Sequence, residues 1–314
     1  MALEFKKVYP EDYSTILPLL EKFQSAFSDE QKGQLFKIHW KVSIDFCGVK
    51  IEDNGAVIAY LGLIFSERNF NGNTVVFCNL TSLVIDEKYR GQKLTHRIVQ
   101  YLQSLGNFML TAITPIPSLY KMYESNGFKC VSDYRTVFWK LPFYTAAPAV
   151  VTSNWQAMAH RLTTAELAIA QTHTAYNCKV LLFSVGEKSV LLVVKNRSGQ
   201  RRKFITAKVI GYIDLLCRKI ARFSLLDTIM VCPEIHYCSD YKFLMQHIAA
   251  FAAAFFKAYK AYSCFCMRKE FTDKYQPKYF LTSSFLHSRQ MFYSAELGSE
   301  DYDTLYSEIF VLDM

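Results

Sequence analysis

Cys78-Asn79-Leu80-Thr81-Ser82-Leu83-Val84-Ile85-Asp86-Glu87-Lys88-Tyr89-Arg90-Gly91-Gln92-Lys93-Leu94-Thr95-His96-Arg97-Ile98 is the stretch that decides the fold. Residues 80–85 are apolar and rich in β-branched side chains, so they read as a strand. Asp86 and Glu87 end it, and Arg90-Gly91 makes a tight turn in which glycine tolerates a positive φ. Leu94, Ile98, Tyr101, Leu102 and Leu105 then recur at the spacing of one helical face. A strand that opens into a helix through a basic, glycine-containing loop is suited to phosphate. The first helical N–H groups are unpaired, the helix dipole is positive there, and Arg90 and Lys93 add charge.

A second block follows about 30 residues on: Leu119-Tyr120-Lys121-Met122-Tyr123-Glu124-Ser125-Asn126-Gly127-Phe128. In order and spacing the two blocks resemble the GNAT N-acetyltransferase superfamily. The family's pyrophosphate loop follows the pattern Arg/Gln-x-x-Gly-x-Gly/Ala, which here reads Arg90-Gly91-Gln92-Lys93-Leu94-Thr95. The arginine matches, while Lys93 and Thr95 stand where the family has small residues. The second block resembles the family's Tyr-Glu-x-x-Gly-Phe segment.

Composition sets the outer bounds. At 314 residues the chain is long enough for two domains. Hydrophobic residues make up 51% and charged ones 20%, which supports a packed core and excludes global disorder. The net charge of +8 fits a polyphosphate ligand or an acidic surface, but it is too diffuse to argue for nucleic acid. Its one dense cluster, residues 195–203, reads as a solvated hairpin tip. Nine scattered cysteines, with no Cys-x-x-Cys pair and no secretory leader ahead of them, point to reduced thiols and a cytoplasmic setting. Cys232, His236 and Cys238 lack a fourth ligand at standard zinc spacing, so no metal site is expected. The apolar run 243–262 is broken by Gln246, His247, Lys257 and Lys260 and reads as a buried helix, with no transmembrane segment expected.

Taken in order, the pattern predicts a strand at 3–9, a helix started by Pro10-Glu11-Asp12, and a second helix over 29–40. Strands at 46–52 and 56–65 flank the hairpin signal Asp53-Asn54-Gly55, and a strand at 74–85 delivers the loop. A helix at 94–105, a strand at 108–114, a helix bearing Tyr123 and strands at 128–131 and 136–141 complete the first sheet. This is the GNAT order. The fold class expected is α/β (α+β), a mixed, mostly antiparallel twisted sheet flanked by helices. Residues 142–153 read as a linker, giving domains of 1–144 and 145–314. The second shows a helix at 163–174, strands at 179–185, 189–195 and 204–212, an apolar helix at 240–262, a strand at 263–269 and a closing segment at 304–312. It has no loop comparable to 90–95 and reads as a degenerate second GNAT-like domain without its own cofactor site.

The resemblance implies a chemistry. Acetyl-CoA or a longer acyl-CoA would rest its pyrophosphate on backbone N–H groups of Arg90, Gly91, Gln92, Lys93, Leu94 and Thr95, and its thioester carbonyl on the main chain of Leu83 and Val84. Lys93 would offer a direct charge contact and Thr95 a hydroxyl donor. Tyr123 matches the tyrosine that protonates the departing sulfur. The general base is not evident: the strand 74–85 offers Asn79 and Thr81 where a glutamate is often found, leaving Glu67, His39 and His96 as candidates. The acceptor is an amine, of a small molecule or a peptide. Two alternatives stay open: a non-catalytic acyl-CoA-binding module, and an acyltransferase fed by an acyl carrier protein. Oligomeric state is not legible.

Overall fold

The computed structural model describes residues 3–23, 27–70, 73–140, 148–196, 232–277, 282–294 and 304–313. The rest of the basic 195–203 cluster beyond Asn196, the strand expected at 204–212 and residues 142–147 of the expected linker lie outside these. The chain divides into two compact units, Met1–Asp133 with Ser288–Met314, and Tyr134–His287. The sequence reading set its boundary at 144/145; by compactness the described residues 134–140 group with the second unit, and 288–294 and 304–313 with the first.

In the first unit, β1 (Glu4–Val8), β2 (Gly48–Asp53), β3 (Ala56–Phe70) and β4 (Asn73–Ile85) pair antiparallel in succession. The β2–β3 hairpin closes on Asn54 (φ 50°) and Gly55 (φ 80°), the two positive-φ positions that a tight hairpin turn demands. β4 then pairs parallel with β5 (Met109–Ala112). A crossover helix, α3 (Leu94–Ser104), makes that parallel pairing possible and buries Leu94, Ile98, Val99 and Leu102. The earlier helix α1 (Tyr13–Phe23) follows a single 3-10 turn at Pro10–Asp12 and buries Ile16, Leu19 and Leu20. α2 spans Asp29–Gln34 and stops short of the expected residue 40. Beyond it the chain tightens into i→i−3 bonds from Leu35, Phe36 and Lys37, which turn Leu35 and Phe36 into the core. α4 (Tyr120–Ser125) ends at Asn126, and Gly127 follows at φ 83°.

The sheet-closing strands differ from expectation. Residues 129–139 form one strand, β6 (Lys129–Trp139), and its part from Arg135 to Trp139 pairs within the second unit. The reason is long-range: Arg135 is fully buried there against Glu234 (Nε to Oε1, 2.5 Å), and Phe138 stacks on Phe265. The place beside β5 is taken by Met291, Phe292 and Tyr293, at the end of β12 (Thr282–Tyr293). Met291 enters the first unit's core, and Tyr293 packs on Phe128. The closing segment, with α9 (Glu308–Val311), likewise belongs to the first unit.

The second unit repeats the succession. β7 (Ala149–Thr152), β8 (Lys179–Val185), β9 (Lys188–Asn196) and β10 (Pro233–Cys238) pair antiparallel in turn. β10 then pairs parallel with β11 (Cys264–Arg268), and β6 pairs antiparallel with β11, as β12 does with β5. α5 (Thr164–His173) carries a capping box at Thr163 and Glu166. The apolar run expected as one helix is two, α6 (Tyr241–Gln246) and α7 (Ile248–Ala258), broken at His247 (φ −114°, ψ 20°). α8 (Lys269–Tyr275) follows β11. Among the described residues, no helix is long and apolar enough to cross a membrane.

Candidate functional site

β4 changes character at its middle. Its parallel ladder with β5 runs only from Phe77 to Asn79, so residues 80–85 continue past the last paired residue of β5. On the other edge the register with β3 slips between Tyr60↔Val84 and Gly62↔Thr81, leaving Ser82 and Leu83 opposite Leu61 alone. Ser82 sits at φ 52°, a left-handed conformation that a non-glycine residue holds only when its surroundings impose it. A bulge of this kind re-aims backbone groups out of the ladder. Gly62 lies opposite it, and a Cβ there would stand 3.2 Å from Thr81 Cγ2.

Beyond β4 the loop is fixed by local bonds. Asp86 caps the 3-10 turn Glu87–Tyr89 by accepting from the Lys88 N–H (3.1 Å), and pairs with Lys22 (3.1 Å). The Lys88 amide, then Lys22, hold its carboxyl below the ordinary range. Tyr89 donates to Asp53 (2.7 Å), which ties the loop to the β2–β3 hairpin. Gly91 adopts φ 83°, and Lys93, the N-cap of α3, adopts φ 57° and ψ 24°. The Lys93 side chain does not cap the helix, and the first α-helical bond runs from Arg97 N–H to the Lys93 carbonyl. The preceding amides of the first turn therefore face the loop with the positive end of the helix dipole behind them.

These residues bound a cleft of ≈ 590 Å³. Ile85, Tyr89, Arg90, Gly91, Lys93, Leu94, Thr95 and His96 form one side, and Leu119, Lys121, Met122 and Ser125 the other. Its lining carries basic and apolar groups and no carboxylate. Five of the expected loop residues meet here; Gln92 does not line the cleft, and its amide reaches back to the Lys88 carbonyl (3.5 Å). Leu83, half-buried, and Val84, buried, lie on β4 behind Ile85. Tyr123 sits next to the lining residue Met122 but turns inward, 4% exposed, with its ring on Phe128 (centroids 4.9 Å). Burial, and then the charge of Glu308, push its hydroxyl well above the ordinary tyrosine value.

Of the candidate bases, His39 and Glu67 lie outside the cleft lining, and His96 lines it with both ring nitrogens engaged. His39 Nε2 lies 2.7 Å from the Gln34 carbonyl, and burial lowers its pKa. Glu67 accepts from the Ser43 N–H (2.7 Å). His96 is held between the side-chain amides of Asn126 (2.8 Å) and Gln100 (2.9 Å).

A residue that the sequence reading did not single out sits beside Tyr123. Glu308, on α9, is 0% exposed. Its backbone N–H donates to Asn79 Oδ1 (3.0 Å), and its Oε1 accepts from the Thr114 hydroxyl (2.9 Å). Oε2 is buried with no hydrogen-bond partner among the described residues. Burial pushes its carboxyl up from 4.5 to about 7, against the Thr114 and Asn79 hydrogen bonds, which favour the charged form. The available sequence signal was an acid directly before the apolar run Ile309-Phe310-Val311-Leu312, together with Asn79 at a strand position where the family often has glutamate.

The equivalent turn of the second unit is built differently. Between β10 and α6, Asp240 accepts from the Phe243 N–H through Oδ1 (2.8 Å), and its Oδ2 pairs with Lys188 (2.8 Å). A carboxylate thus occupies a helix-start amide that an anionic ligand would need.

Comparison with known proteins bears on the fold. No family model matches the chain. Over 89 residues it is 35% identical to an uncharacterized N-acetyltransferase, YhbS, of Escherichia coli K12, a match covering 27% of this chain and 50% of that protein. The chain therefore spans about half the length of the curated relatives it matches. Among solved structures, a probable N-acyltransferase from Enterococcus faecalis V583 superposes with a TM-score of 0.56 at 11% identity, covering 95% of this chain and 74% of its own. A GCN5-related N-acetyltransferase from Anabaena variabilis gives 0.55 at 11% identity, covering 93% and 72%. The N-terminal region of this chain is GNAT-like in its fold and, over that matched stretch, similar in sequence to a named N-acetyltransferase.

Proposed function

We propose that the first unit binds acetyl-CoA or a longer acyl-CoA and transfers the acyl group to an amine of a small molecule or a peptide. The observation that carries this is the cleft at the start of α3, where uncapped helix amides meet Arg90, Lys93, Lys121 and apolar walls. A diphosphate suits the amides and cations, and a pantetheine arm suits the apolar lining. The arm would run along β4 past the end of β5, placing the thioester carbonyl at the backbone of Leu83 and Val84 beside the bulge.

Attack by a neutral amine forms the C–N bond and breaks the C–S bond, and Tyr123 supplies the proton that the thiolate takes. Its raised pKa keeps the hydroxyl protonated throughout the working range. In this reading the second unit is a degenerate copy: it repeats the strand succession, but Asp240 stands where a phosphate would have to sit.

Calorimetric titration of acetyl-CoA, desulfo-CoA and palmitoyl-CoA into the wild type and Tyr123→Phe tests the donor assignment. Micromolar binding that survives Tyr123→Phe, with acyl transfer lost, is the expected result. Absence of binding by any CoA species would overturn it and favour an acyl carrier protein as donor, which the basic cleft would also suit.

A further inference from the structure

Proton bookkeeping in this site is incomplete. The amine must lose a proton as the C–N bond forms; His39 and Glu67 do not line the cleft, and His96, which does, has both ring nitrogens engaged by Asn126 and Gln100. We infer that Glu308, carried into the first unit by the C-terminal segment, is the general base that takes this proton on its unpartnered Oε2. The inference rests on the acyl-transfer reading above.

Three observations converge on it. First, Glu308 is anchored from two strands: Asn79 of β4 accepts from its backbone N–H, and Thr114 beyond the end of β5 donates to Oε1. β4 and β5 part just after the Asn79↔Thr111 pair, so the carboxyl is fixed where the two strands separate. Asn79 is itself held by donating to the Thr111 hydroxyl (3.2 Å) and the Thr111 carbonyl (3.3 Å). Second, one oxygen is satisfied and the other is not. A buried acceptor without a donor is costly unless something else supplies one, and an incoming ammonium or amine N–H would. Third, Thr114, whose hydroxyl donates to Oε1, is itself exposed while Glu308 is fully buried. Among the described residues, the titratable group that the Glu308 charge perturbs is Tyr123 of α4, while β4 and the end of β5 bring the uncharged Asn79 and Thr114 to it. On the same segment, the Arg68 guanidinium lies over the Tyr306 ring at 5.0 Å.

The step balances. Nitrogen gives one proton to Glu308 Oε2 as its lone pair enters the carbonyl carbon, and sulfur leaves with the thioester's electron pair and takes the Tyr123 proton. The protonated carboxyl and the phenolate then restore each other through solvent, with no net gain or loss. Glu308 poised near neutrality is matched to this task.

The test starts with acetyl-CoA binding by calorimetry to wild type, Glu308→Gln and Thr114→Val, with thermal unfolding as a check that each variant folds. Transfer to a panel of primary amines is then followed from pH 5 to 9. Binding in all three, with kcat/KM of Glu308→Gln down by about 100-fold and the acidic limb of its pH profile gone, is expected. Thr114→Val removes a donor to the charged form, so its acidic limb should move to higher pH. Equal rates and an unchanged limb in Glu308→Gln would overturn the assignment, leaving Glu308 as an anchor for the C-terminal segment. So would a wild type that binds acetyl-CoA yet acylates none of the amines. Failure of the wild type to bind acetyl-CoA at all would overturn the underlying acyl-CoA reading, and the assignment of Glu308 with it.

Discussion

Lys93 offers a way to separate the shape of the loop from its charge. It holds φ 57° and ψ 24° at the position where the family pattern has glycine, so the backbone there is left-handed whichever residue occupies it. A side chain with a Cβ costs about 1–2 kcal/mol in that conformation. Lys93→Gly removes the cost but adds freedom to the unfolded chain worth about 0.5–1 kcal/mol, so stability should rise by no more than about 1 kcal/mol. Lys93→Ala keeps the Cβ and the strain, so its stability should match the wild type within about 0.5 kcal/mol. Both variants lose the ammonium at the cleft. An exposed charge contact is worth about 0.2–1 kcal/mol, which corresponds to a loss of roughly 1.4- to fivefold in acetyl-CoA affinity. Urea unfolding gives the first pair of numbers. Calorimetry with acetyl-CoA and with acetyl-pantetheine, which lacks the diphosphate, gives the second. Lys93→Ala should weaken acetyl-CoA alone. Equal weakening of both ligands would refute the claim that Lys93 reads the phosphate, and a Lys93→Gly variant much less stable than Lys93→Ala would refute the strain argument.

Three further outcomes follow from the same geometry. Tyr123→Phe keeps the ring on Phe128 and should cost under about 1 kcal/mol in chemical denaturation, whereas Tyr123→Ala opens a core cavity and should cost about 3–5 kcal/mol. Glu308 has its folded pKa raised to about 7 from 4.5, so folding favours the protonated form. The stability this contributes is complete below the unfolded pKa and is lost as pH rises through the folded one, amounting to about 3 kcal/mol in wild type but not in Glu308→Gln, as unfolding measured across pH 4–8 would show. Asp240→Ala should destabilise the second unit by about 1 kcal/mol through loss of the helix cap, with acetyl-CoA affinity unchanged; an altered affinity would argue against a degenerate second site.

What the sequence could disclose was what local chemistry determines. The Asp53-Asn54-Gly55 turn, the break at Asp86 and the helical spacing from Leu94 each depend on residues within a few positions of one another, and all three lie where they were expected. One wall of the cleft was legible for the same reason, since Arg90, Gly91 and Lys93 share one loop, while Lys121 comes from α4. The partner of β5 was not. Residues 136–141 were expected to close that sheet, and 291–293, which take the place beside β5, were not singled out as a strand. The choice follows from Arg135 meeting Glu234, 99 positions away, and from Met291 entering the core between β5 and α4. Glu308 poses the same problem more sharply. An acid buried with an apolar run must find donors or stay neutral, and that much follows from residues 304–312 alone. That its partners are Asn79 and Thr114, at separations of 229 and 194 positions, emerges only once the closing segment is placed in the first unit. Asn79, which stands where the resemblance would put a glutamate, accepts from the backbone N–H of Glu308 and so fixes that residue beside β4.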